Sequence, residues 1–473
     1  MKNMHGQNTQ TQKRIVFIGF GSVGQAVIQL LFQHLPYTPS QISILSKNDE
    51  GMALAKQFGV SIQIENITRE NYRTLLGNLL QEGDFLLNLS VNISSLALIE
   101  LCQQKGALYL DTCTEPWEGG YVDKWLSPAS RTNYALREAV LRLKTQQGPT
   151  AVLTHGANPG LISHFLKQAL WNMAQDNELA IHPPKEASDW ASLAQSLEIK
   201  SIQIAEHDTQ ITNKPKSPGE FVKTWSVDGF VAEGAQPAEL GWGTHERHWP
   251  RDGHHHEAGQ KCSIYLDRPG AGTRVRTWTP NAGAAHGFLI THAESISIAN
   301  YLTLKKNGHV CYRPTVHYAY VPCPDAILSL HELASNEWHQ QEKKRIIFNE
   351  IIDGTDALGI LLMGNKKGAY WHGSQLSIHE ARKHVPYNNA TSLQVAIGVI
   401  AGIRWAIEHP GRGVVEPEEM DYQYIMDIAH PYLGSVTSHY TDWNPLQRRE
   451  KLFQEKLDHT DPWQFLNIRV GDN

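Results

Sequence analysis

The chain has 473 residues, 41% hydrophobic and 19% charged, a balance that excludes a disordered chain and predicts a soluble globular protein with more than one hydrophobic core. Lys and Arg number 42 against 48 Asp and Glu, a net charge of −6, which argues against nucleic acid or an anionic membrane as the main partner. The polar start MKNMHGQNTQTQ is unlike a secretion signal, and no apolar run reaches the ~20 residues that span a bilayer, so the expected location is cytoplasmic. Cys102, Cys113, Cys262, Cys311 and Cys323 show no C-x-x-C spacing and read as free thiols.

Taken in chain order, residues 1–12 read as a flexible tail and residues 13–150 as a dinucleotide-binding domain. RIVFIGFGSVGQAVIQLLF predicts a buried strand, a glycine turn and a helix. Gly19, Phe20, Gly21, Ser22, Val23 and Gly24 fit G-x-G-x-x-G: the first glycine turns the chain, the second admits a pyrophosphate and the third lets the helix pack closely. At the far end of the fingerprint Ser46 stands where an acid would hold the adenosine ribose, and Lys47 is available to a 2′-phosphate, so the motif leaves NAD and NADP open. VSIQIE, DFLLNLSV and ALYLDTCT supply further strands of a doubly wound parallel α/β sheet. Ligands in such sheets sit beyond the strand carboxyl ends. Asn88, Ser90 and Val91, and Asp111, Thr112, Thr114 and Glu115, are therefore candidate cofactor or substrate contacts, although Glu115 also reads as a plain turn carboxylate.

Residues 151–385 read as a second, α+β domain for substrate and dimerisation. Thr150–Thr154 predicts one more strand, and the turn Ala157-Asn158-Pro159-Gly160 precedes a helix that Asn158 would either cap or leave to face the nicotinamide side. SIQIAEHDTQ and TWSVDGFVAEG both read as short β-prone pieces carrying Glu206, Trp225 and Glu233. From Thr224 to Gly243 there are two tryptophans and the carboxylates Asp228, Glu233 and Glu239, with no lysine or arginine. Carboxylates and indole faces attract organic cations, although such a stretch also suits ordinary surface. His254, His255 and His256 are consecutive, which points neighbours to opposite faces and disfavours a shared metal; no metal site is expected and a solvent loop is the reading. His292 and Glu294 lie two apart, and a histidine suits the proton an amine must shed before giving up hydride, against the plainer reading of a core histidine. Asp353 and Asp356 read as turn residues between two strands. Residues 386–473 are expected as C-terminal helices, with NNATSLQVAIGVIAGIRWAIEH packing back on the first domain.

VFIGFGSVGQA, LYLDTCTEPW, GANPG, WSVDGFVAEG and HGFLITHAESISIANYL together resemble the bacterial homospermidine synthase family, within the saccharopine dehydrogenase-like group, over nearly the whole chain. The resemblance implies an enzyme holding NAD as a prosthetic group. Hydride leaves putrescine, the imine loses ammonia, a second putrescine adds as a Schiff base, and the hydride returns, so the net reaction is aminobutyl transfer. It also implies a homodimer and, in some members, spermidine as donor. Carried over by position, Glu206 and Glu233 receive the ammonium groups, Trp225 holds the substrate by cation–π contact, and Asn158, Glu115 and His292 line the reaction centre. Asp353 or Asp356 completes the acidic pocket. Two other readings stay open: a saccharopine-type or carboxypolyamine dehydrogenase that consumes NAD(P), and a polyamine sensor that keeps NAD structurally.

Overall fold

The computed structural model describes residues 13–145, 147–180, 182–449, 452 and 454–471; the tail expected at 1–12 lies outside them. Strands β1 (Ile15–Ile18), β2 (Ile42–Ser46), β3 (Ile62–Ile64), β4 (Phe85–Asn88), β5 (Leu108–Asp111) and β6 (Ala151–Val152), with Val414–Val415, form one seven-stranded sheet. All its pairings are parallel. The strand order, with Val414–Val415 beyond β6 and then β5, β4, β1, β2 and β3, puts the reversal between β1 and β4, the place where such sheets bind ligands. Val, Ile, Leu and Phe dominate β1, β4 and β5, as both faces are covered.

A second, eleven-stranded sheet is mixed. At its centre β7 (Ser201–Asp208) runs parallel to Thr315–Val321 and antiparallel to Thr355–Met363. The register places Glu206 beside Tyr320 and Leu358, and Asp208 opposite Asp356. Because side chains alternate faces with period two, Glu206, Asp208, Tyr318, Tyr320 and Asp356 all project from one face at one end of this sheet.

The long apolar helix Ala390–Glu408 is long and apolar enough to span a membrane by composition, but 83% of its apolar window is buried in the protein. It lies against the helix that follows the glycine turn, Ser22–His34 (α1), and against the loop at 156–160; Gly398 has no room for a Cβ beside the Gly156 backbone. Beyond it the C-terminal helices expected over 386–473 are joined by strands: helix Tyr422–Ala429 packs on Ala390–Glu408, but the rest is not all helical. Ser435–Thr441 adds an edge strand to the second sheet, and Arg469–Val470 pairs with Arg274–Val275 of that sheet.

Three local readings also change. TWSVDGFVAEG is not β: Val227–Ala235 is a helix whose N-cap Ser226 accepts from the Gly229 N–H, so cap chemistry overrides the β propensity of Val and Phe. The histidine triplet is solvent-facing only in part and is not a loop: Gly253–His255 pairs with Ser263–Pro269 and leaves His254 and His255 exposed, whereas His256 is buried 3.2 Å from Glu239 with its ring stacked on Tyr134. Asp356 is no turn residue but a fully buried strand residue, whereas Asp353 ends the preceding strand and is exposed.

Candidate active site

The glycine turn delivers an anion cradle. Gly19 has φ +85° and a Cβ there would lie 2.9 Å from the Leu89 carbonyl oxygen, whereas Gly21 faces open space. Gly21 caps α1 without any side-chain hydrogen bond, leaving the first N–H groups of the helix for a diphosphate. Ser22 and Val23 begin that helix, and Ser22 Oγ lies 2.5 Å from Ser392 Oγ; Gly24 lets the helix sit against Phe20. Ser46 is buried at the end of β2.

The strand-end candidates divide by what their side chains already do. Asn88 Oδ1 accepts from the Ser90 hydroxyl (2.6 Å), which holds the loop leading to Val91. Asp111 is fully buried and accepts from the Thr154 N–H (2.6 Å) and the Tyr109 hydroxyl (2.8 Å), so it supports the loop that carries Asn158. Burial pushes its carboxyl up to about 6. Thr112 faces Gly156 and the Thr114 carbonyl accepts from Tyr121. In the turn itself Ala157 is buried and the Pro159 carbonyl accepts from the Gly156 N–H (2.7 Å). Asn158 does not cap the following helix, which Gly160 precedes; its Nδ2 donates to Glu206 Oε2 at 3.0 Å.

That bond links the first sheet's rim to an acidic, aromatic chamber. Glu206 also accepts from the Tyr318 hydroxyl. Tyr318 stacks on Tyr320 (centroids 5.2 Å, 15°), Tyr320 meets Phe230 edge-on at 5.8 Å, and Phe230 meets Trp225 at 5.7 Å. The result is a wall of π-faces running beside Glu206, Asp208 and Asp356. Asp208 accepts from the Gln210 N–H (2.9 Å) and Thr224 hydroxyl (3.2 Å), and Asp356 Oδ2 from Thr391 while its Oδ1 has no partner among the described residues. Burial raises the carboxyls of all three, Glu206 to about 7. For Asp356 the charges of Glu206 and Asp208 push further in the same direction, as expected where like charges face each other across strands.

A second acidic group adjoins the first through the His292 ring, 4.5 Å from that of Tyr318. Its Nε2 donates to Glu233 Oε2 (3.2 Å) and its Nδ1 to Glu294 Oε1 (3.1 Å). Two donated bonds require the imidazolium. Burial alone would depress this histidine, but the charges of Glu294 and Glu233 overcome it and hold it well above the usual range. In this structure Glu233 and Glu294 hold the His292 ring in its protonated form. Glu115, whose Oε2 accepts from the Asn92 N–H at 3.0 Å, is held up to about 8 by burial, with Glu233 and Asp111 adding to the effect. A carboxyl poised there is the better acceptor for an amine proton near neutrality.

The chamber thus gathers Glu115, Asn158, Glu206, Trp225, Glu233 and His292. Of the tryptophans and carboxylates in 224–243, Trp225 and Glu233 belong to it: Asp228 pairs with Lys344 and Gln340, Glu239 holds Tyr134 and His256, and Trp242 packs on Trp249 and Phe465. Asp208, Glu294, Tyr318, Tyr320 and Lys223 complete it. The period-two spacing Glu206/Asp208 and Tyr318/Tyr320 is the available signal; Lys223, at the end of the short strand Glu220–Lys223, carries none.

Residues 15–152 match the saccharopine dehydrogenase NADP binding domain, and residues 156–442 the saccharopine dehydrogenase C-terminal domain. The chain is 49% identical over 465 residues to a homospermidine synthase of Mesorhizobium japonicum, covering 96% of each chain. It is 50% identical over 464 residues to that of Blastochloris viridis, covering 97% of each. The crystal structure of a homospermidine synthase from Legionella pneumophila in complex with NAD superposes with a TM-score of 0.92 at 58% identity, covering 97% of this chain and 98% of that one.

Proposed function

Because the chain belongs to the homospermidine synthase family, within the saccharopine dehydrogenase group, we propose that it joins two putrescines into homospermidine with release of ammonia, as an NAD-dependent aminobutyl transferase. The open cradle at Gly21 and the uncapped start of α1 fit the NAD diphosphate. When bound, NAD accepts a hydride from the amine-bearing carbon and later returns it. The single observation that carries the polyamine reading is the alternation of buried carboxylates with a continuous aromatic wall. A butane diamine is four apolar carbons between two cations and needs anions at both ends with a wall between.

The chain's own residues divide the remaining work. Glu206 and Glu233 receive the ammonium ends, and Trp225 offers a face to one of them. Glu115 takes the proton that the reacting ammonium must lose, and the His292 imidazolium supplies one to the departing ammonia. Asn158 fixes the Glu206 carboxylate that orients the reacting carbon. Enclosure keeps water from the imine, whose hydrolysis would yield an aldehyde instead of product. Spermidine as an alternative donor, a homodimer and a cytoplasmic location belong to the same reading.

Purified protein given excess putrescine and a trace of NAD is expected to form many equivalents of homospermidine per NAD, read by mass spectrometry. NADH accumulating in step with putrescine loss, without homospermidine, would overturn the transferase reading in favour of a dehydrogenase. Substitution at Trp225 tests the wall: Trp225→Ala should raise the putrescine KM more than Trp225→Phe, by about tenfold, since a desolvated cation–π contact contributes ~2 kcal/mol and phenyl keeps part of it. Equal kinetics for the two variants would remove the indole from substrate binding.

A further inference from the structure

The reaction outlined above makes no use of Lys223, yet its side chain is fully buried within the chamber. The ammonium donates to the Tyr320 hydroxyl and lies 4.4 Å from the Tyr320 ring centroid, 4.5 Å from that of Phe230 and 5.5 Å from that of Trp225. Its charge also acts on Glu206, Asp208 and Asp356. The position is pinned on both sides. Lys223 closes the strand Glu220–Lys223, which pairs with Lys343–Ile346, and the next residue, Thr224, binds Asp208 through its hydroxyl and Asn389 through its carbonyl.

A resident cation therefore already occupies part of the surface that a substrate ammonium would use. It offsets one of the three carboxylates clustered there and repels any further positive charge brought to the same rings. The repulsion of two unit charges about 5 Å apart at an effective dielectric of about 20 is worth more than tenfold in affinity. Resting on the polyamine reading, we infer that Lys223 is a specificity-determining residue: its fixed ammonium takes the Tyr320 and Phe230 end of the aromatic wall, so a diamine held at Trp225 and the carboxylates is admitted while a longer amine that brings a third charge to those two rings is disfavoured.

The test is the ratio of kcat/KM for spermidine to that for putrescine in the NAD-loaded wild type, Lys223→Met and Lys223→Arg. Lys223→Met, which keeps the stem and deletes the charge, is expected to raise this ratio by about tenfold or more. Lys223→Arg, which keeps the charge, should retain the wild-type ratio. A purely structural role would lower both substrates together and leave the ratio alone, and that outcome overturns the inference, as does an equal rise in Lys223→Arg. Should Lys223→Met fail to fold on thermal melting, Lys223→Gln also deletes the charge while keeping a polar end for the Tyr320 hydroxyl; a raised ratio there supports the inference and an unchanged one overturns it. A wild type that forms no homospermidine from putrescine is a separate result, which overturns the polyamine reading itself.

Discussion

Glu206→Gln is expected to lower kcat/KM for putrescine by about 10²- to 10³-fold, the range seen when one member of a buried charge pair is removed. The amide oxygen retains the acceptor that Asn158 Nδ2 and the Tyr318 hydroxyl require, so the positions of both partners persist. What disappears is the charge that meets the reacting ammonium and that offsets Lys223. Burying a carboxylate is itself costly, as the upward displacement of Glu206 to about 7 shows, so the neutral amide should leave the melting temperature of the free protein unchanged or raise it. Loss of activity with retained stability separates a substrate-binding role from a scaffolding one. A variant that turns over at the wild-type rate with saturating diamine would remove Glu206 from the reaction centre, and one that melts several degrees lower would make it a structural residue.

The division between what the amino-acid sequence reveals and what it conceals has physical causes. The first sheet is legible because a glycine turn must follow a buried strand and precede a helix, and Gly19 to Gly24 satisfy that at fixed spacing. Its reversal between β1 and β4 then locates the ligand crevice without further information. The second sheet is less legible, since its strand order joins segments more than a hundred residues apart. Only that register brings Asp208 opposite Asp356, so Asp356, read locally, looks like part of a turn. Helix Val227–Ala235 was concealed by its own composition: Val, Phe and two glycines read as β or turn, and the deciding Ser226 cap is one hydroxyl. His292 shows the same limit in chemical form. Its type suggests a base, whereas the carboxylates of Glu233 and Glu294, the former distant in sequence, make it an acid. The roles proposed for Glu206, Trp225, Glu233 and Asn158 rest on whole-chain resemblance; the geometry adds the contacts that join these residues.

Putrescine should protect the protein against heat more strongly at pH 8.5 than at pH 6, and its KM should fall over the same interval. An alkyl diamine keeps both charges across this range, as a lysine-like amine titrates near 10.4, so the dependence must arise in the protein. Glu115 and Glu206 are raised by burial to about 8 and about 7, and Asp208 and Asp356 are raised in the same direction. Near pH 6 Glu115 and Glu206 are largely protonated and offer little charge to a dication; by pH 8.5 their carboxylates are largely formed. The same shifts fix the sign for the free protein. A carboxyl with a raised folded-state value binds its proton more tightly folded than unfolded, so between the ordinary carboxyl value near 4.5 and about 8 stability declines as pH rises. His292 acts in the same direction, because an imidazolium held by Glu233 and Glu294 stabilises the fold most fully below its ordinary value of 6.5 and less as pH climbs through its raised one. The free chamber thus becomes progressively more strained with pH, and a diamine that enters relieves it. Melting curves with and without saturating putrescine at pH 6, 7 and 8.5 measure the effect directly. A ligand-induced shift that is constant with pH, or largest at pH 6, would mean that the buried carboxyls are not what the diamine meets, and in Glu206→Gln the slope of that shift against pH should flatten between 6 and 8.5.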